Sequence, residues 1–141
     1  TGSANKLDDY EEGTWTPTFD ASAGTTTVSS YDYQKGNYIK IGSLVYVFFD
    51  FGGTISSATG NAAMSGFPFA PASDAYNSVQ LRSHNCLPAS PSTYLGFTGY
   101  WNGNDYVFQV VTSTGSETAF GSFTTGGSRR CNGYLIYKTD A

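Results

Sequence analysis

Residues Gly36–Gly53, GNYIKIGSLVYVFFDFGG, are the longest apolar run in the chain, and the turn-forming pairs Lys35-Gly36 and Gly52-Gly53 bracket them. At period two the run separates Val45, Val47, Phe49 and Phe51 from Leu44, Tyr46, Phe48 and Asp50. Both rows are largely apolar. A strand in an antiparallel sandwich shows one oily face to the core and one polar face to water. A strand oily on both faces needs a second burial partner, and in so short a chain another copy of the chain is the natural one. Leu44, Tyr46 and Phe48 are then the expected interface between copies.

The rest of the composition agrees with strands. The chain has 141 residues, enough for one domain that buries roughly 70% of the surface its unfolded form exposes. Only 13% of residues are charged, Gly is abundant, and eleven Tyr, ten Phe and two Trp supply the burial that a folded domain needs. A formal net charge of −4 offers no basic surface to displace counterions from DNA or RNA, so nucleic acid is set aside as a partner. No window approaches the ~18 apolar residues of a membrane helix, and no basic-then-apolar leader opens the chain, so no membrane insertion is expected. Thr1-Gly2-Ser3 resembles a cloning remnant.

Cys86 and Cys131 lie far apart, without a CxxC, and His84 is the one histidine, so no zinc site is expected. Two buried thiols are preferred over a disulfide, because a domain of this size needs no staple. The acidic stretch Lys6–Glu12 gathers Asp8, Asp9, Glu11 and Glu12, but it lacks the alternating ligands and turn glycine of a calcium loop. Residues 1–13 read as a connector, and 14–141 as a single domain.

Along that domain, Gly13–Phe19 alternates around Pro17, which lacks an N–H and marks an edge strand or an extended lead-in. Thr25–Gln34 is a second strand, turning at Lys35-Gly36 into the pair Asn37–Ile41 and Leu44–Phe51, joined at Gly42-Ser43. Gly60-Asn61 is a turn, and Met64–Pro71, with Phe67 and Phe69 around Pro68, is placed as a plug at one end of the sandwich. Tyr76–His84 alternates a polar row, Tyr76, Ser78, Gln80, Arg82 and His84, against Asn77, Val79, Leu81 and Ser83, which face the core. Tyr94–Tyr100 and Tyr106–Val111 form a hairpin, and Cys131–Lys138 is the last strand after a turn at Thr125–Arg130. At least seven strands and no helical periodicity predict an all-β, antiparallel two-sheet sandwich of jelly-roll type.

Four segments in order, LDDYEEGTWTP at Leu7–Pro17, GNYIKIGSLVYV, SGFPF at Ser65–Phe69 and the terminal NGYLIYK, resemble the carboxy-terminal domains of bacteriophage tail fibres and tailspikes. The eleven-residue string is the most specific of them. The resemblance implies a sandwich at the distal end of a homotrimeric virion appendage, made in the bacterial host cytoplasm, that trimerises, attaches to a receptor, or does both. It transfers no ligand and no binding residue, because Asp74–Gly127 matches no family pattern.

Chemistry is poorly provided for. His84 is the one base available to a serine triad, and no GxSxG elbow is present. Nothing brings two of the carboxylates together as glycoside cleavage requires, so no enzyme, catalytic residue, cofactor or metal is expected. Saccharide binding needs a flat aromatic and neutral amides or carboxylates. The hairpin tip YWNGNDY supplies them in Tyr100, Trp101, Asn102, Asn104, Asp105 and Tyr106. The competing use of Trp101 is to fold back and fill the end of the sandwich. A second candidate set is Tyr76, Arg82, His84, Arg129 and Arg130, whose guanidinium groups pair well with acidic saccharides. The expected function is attachment to a bacterial surface glycan through three copies on one stalk. The alternative is a purely structural trimerisation cap, and a glycan-cleaving module ranks last.

Overall fold

A computed structural model of the chain describes residues 9–74, 77–88, 94–112 and 117–141. Within them, ten strands and no helix form two antiparallel sheets of a β-sandwich. The first sheet has the order β1 (Tyr10–Trp15), β3 (Thr26–Ile41), β4 (Leu44–Ala58), β10 (Gly126–Lys138) and β6 (Asn77–His84). The second runs β2 (Thr18–Ser22), β5 (Asn61–Ser65), β8 (Asp105–Thr112) and β7 (Tyr94–Asn102), with β9 (Glu117–Ala119) also paired to β8.

The alternation read from the central run holds. Val45, Val47, Phe49 and Phe51 are buried, and they join Met64, Tyr106, Phe108, Leu135 and Tyr137 in one core. Each such side chain contributes about 1.5–3 kcal/mol by leaving water. Phe67 stacks on Trp15 at 5.0 Å and meets Trp101 at 4.8 Å, so the SGFPF segment does pack onto the core. Asn77, Val79, Leu81 and Ser83 turn inward as expected, and Ser78, Gln80, Arg82 and His84 are exposed. Cys86 and Cys131 are buried and unbridged.

Several boundaries differ from the sequence reading. Lys35-Gly36 is not a turn, because β3 runs unbroken from Thr26 to Ile41. Gly36 is there for close approach: a methyl group on it would come within 2.6 Å of the Trp15 indole. Gly52-Gly53 likewise lies inside β4, at register shifts where a side chain on Gly53 would strike the Ser30 carbonyl. Gly42-Ser43 is the true hairpin turn, with Gly42 at φ 58° and Ile41 opposite Leu44. The stretch around Pro17 is two strands, since the chain leaves the first sheet after Trp15 and joins the second at Thr18. Tyr10–Gly13, read as connector, are the start of edge strand β1, where Tyr38 donates to Glu11 and Tyr10 to Glu12, each at 2.6 Å. The last strand begins at Gly126 rather than Cys131.

Candidate functional site

The β7–β8 hairpin closes with Asn102 opposite Asp105, leaving Gly103 and Asn104 as its tip. Strand alternation then divides the six predicted saccharide residues between two faces. Trp101 and Tyr106 point inward. The Trp101 ring lies 4.8 Å from those of Phe67 and Tyr137 and 5.2 Å from that of Tyr106. Tyr106 is fully buried and donates its hydroxyl to Asn77 Oδ1 at 2.7 Å, so it presents no surface to a ligand. Trp101 takes the fold-back role named as its alternative, and its Nε1 is buried without a hydrogen-bond partner among the described residues.

Tyr100, Asn102, Asn104 and Asp105 remain outside. Tyr100 is exposed, and Asn102 donates to Ser22 Oγ at 2.9 Å. Burial pushes the Asp105 carboxyl above its ordinary range, and the charge of Asp20 adds to the shift. These four offer hydrogen-bonding groups and one phenol ring, without the indole platform expected of the set.

The second candidate set is reorganised by cross-strand register. Tyr76 lies outside the described residues. Arg129 is committed to the backbone, donating to the Asn85 carbonyl at 2.9 Å and to that of Thr125. Arg82, His84 and Arg130 share the outer face of the first sheet with residues that sequence reasoning missed. One row across the sheet reads Lys35, Asp50, Asn132, Arg82, and the next reads Tyr33, Gly52, Arg130, His84. Arg130 grips Asp50 with both arms of its fork, Nε to Oδ1 at 2.9 Å and Nη2 to Oδ2 at 2.7 Å, and lies 5.4 Å from the Tyr33 ring centre. No sequence signal pairs residues 35, 50, 82 and 132, because register is a property of the assembled sheet.

The same outer face is apolar toward the β3–β4 turn. Ile41, Leu44, Phe48 and Tyr134 are 48, 39, 45 and 41% exposed, and Tyr46 is half-buried between Ile39 and Ile136. Two hollows flank this surface along β1 and share Thr14 and Asn37. One, of about 500 Å³, reaches Glu12, Ile39 and Phe48. The other, of about 390 Å³, reaches Thr16, Gln34 and Lys35, where β1 parts from β3. Among the described residues no three or more His, Cys, Asp or Glu side chains are grouped to hold a metal ion.

No protein-family model matches the sequence, and no curated protein matches it. The fold is similar to that in the crystal structure of the Dettilon tailspike protein (gp208), with a TM-score of 0.57 over 92% of this chain at 13% identity. The match spans 24% of that tailspike chain, so the likeness is to one portion of a larger protein. At this identity it establishes a shared fold, a two-sheet all-β module.

Proposed function

We propose that the chain is a non-enzymatic module of a phage tail appendage, joined to two copies of itself through the apolar half of its first sheet and presenting a saccharide-binding surface to the bacterial envelope. Its place is the virion, after synthesis in the host cytoplasm. The observation that carries the assembly is the outward row of β4, Leu44, Tyr46 and Phe48, widened by Ile41 and Tyr134 into one apolar surface. Surface of this kind on a monomer marks an interaction site. The likeness to part of a tailspike supports the setting.

Sedimentation equilibrium tests the assembly. A trimer that Phe48→Glu dissociates, with the melting curve of the dissociated chain still cooperative, is the expected result. A monomer at high concentration removes the proposal. A purely structural cap is the second reading, favoured by the inward turn of Trp101. It prevails if the trimer forms and binds neither cells nor saccharides.

A further inference from the structure

The cationic half of the first sheet's outer face is unlike the rest of the chain. The molecule is acidic, with a formal net charge of −4, yet Lys35, Arg82 and Arg130 collect on one face. The charges of Asp50 and Asp32 both act on Tyr33. Asp50 is taken by Arg130, through Nε and Nη2 of its fork. Lys35 and Arg82 sit at opposite ends of the row, with Asp50 and the amide of Asn132 between them.

Four adjacent strands put the ends of that row about 14 Å apart, at ~4.8 Å per strand. With both side chains upright, such a span matches a short chain of sugars better than inorganic phosphate or a single sugar. At the Lys35 end the row runs into the hollow of about 390 Å³, whose Thr14, Thr16 and Asn37 side chains offer hydroxyls and an amide to sugar hydroxyls. The wider negative charge of the chain repels anions at long range. Beyond a Debye length of about 8 Å it is screened, so contact with the two end cations decides binding.

We propose that this row is a subsite for an anionic oligosaccharide, with acid groups of the glycan on Lys35 and Arg82 and sugar hydroxyls on Asn132 and the Thr14–Asn37 hollow. The inference rests on the saccharide-binding reading and narrows it to a charge class and a face. Phe48 lies one pleat from Asp50 on the same face, so copies seated on the apolar half leave the row at their rim, with Thr14 and Asn37, which share the Phe48 row, at the edge of the contact.

The test is titration of the intact chain, in its native assembly, with tetragalacturonate, a phosphorylated mannose oligomer and neutral maltotetraose. Calorimetry and backbone amide shifts are the readouts, at low and high salt. Expected are saturable binding of one or both anionic probes, shifts centred on residues 35, 50, 82 and 132, and weakening by salt. Lys35→Gln and Arg82→Gln should each weaken binding about tenfold, which is about 1.4 kcal/mol, the loss of one charge-assisted contact. Both side chains are exposed, so the melting temperature should hold. If maltotetraose binds and the anionic probes do not, or if the combined Lys35→Gln/Arg82→Gln variant binds as the parent does, the anionic subsite is wrong while saccharide binding stands. Silence toward all three removes both.

Discussion

The Trp15 indole nitrogen donates at 3.2 Å to two carbonyls at once, those of Asn37 on β3 and Phe48 on β4, and it reaches them across the bare Cα of Gly36. One side chain thus ties edge strand β1 to the next two strands. Gly36→Ala should cost about 1–3 kcal/mol, the usual range for overpacking, read as a lower denaturant midpoint. In the double variant Gly36→Ala/Trp15→Phe the two losses should overlap in part, because the added methyl meets both the indole and the Trp15 carbonyl and only the indole is removed. Strict additivity would place the whole cost of the methyl on the Trp15 carbonyl rather than on the indole.

Trp101 makes a prediction that separates packing from recognition. Its ring is half-buried against Phe67, Tyr106 and Tyr137, so Trp101→Ala should destabilise the fold by about 2–3 kcal/mol, somewhat below the value for a fully buried tryptophan. An unchanged melting temperature with lost saccharide binding would return the ring to the ligand surface.

Asp105 should make stability depend on pH in a definite direction. Its folded-state pKa is raised, first by burial and then by Asp20, so the folded chain holds that proton more tightly than the unfolded chain does. The charged carboxylate therefore costs stability at neutral pH, and the cost fades as pH falls through the folded and then the unfolded pKa. Asp105→Asn should raise the melting temperature by about 1–2 °C at pH 7, with the gain vanishing toward pH 3. The same gain at both values would mean that the charge is not the cause.

The two cysteines should be silent in the native chain. Burial, with a further contribution from Cys86, pushes the Cys131 thiol well above its ordinary range, and a protonated buried thiol is a poor nucleophile. Iodoacetamide should label neither residue under native conditions and both in denaturant. Intact mass should be the same with and without reductant, and a loss of two daltons without reductant would reveal a disulfide.

The sequence by itself determined everything that depends on near neighbours. Period two marked Val45, Val47, Phe49 and Phe51 as core and Leu44, Tyr46 and Phe48 as an outward apolar row, and it placed Arg82 and His84 on the wet side of their strand. Aromatic and glycine content, with no helical period, was enough for an all-β sandwich. What only the tertiary structure decided is what crosses each strand. A glycine reads as a turn when its neighbours are all that is known, yet Gly36 and Gly53 sit mid-strand because Trp15 and Ser30 press on them from other strands. Trp101 looked exposed beside a turn, but alternation from the Asn102–Asp105 closure sends it inward onto Phe67 and Tyr137. The row joining Lys35 to Arg82 was invisible for the same reason: side-chain period is local, whereas register and sheet order arise when distant segments pair.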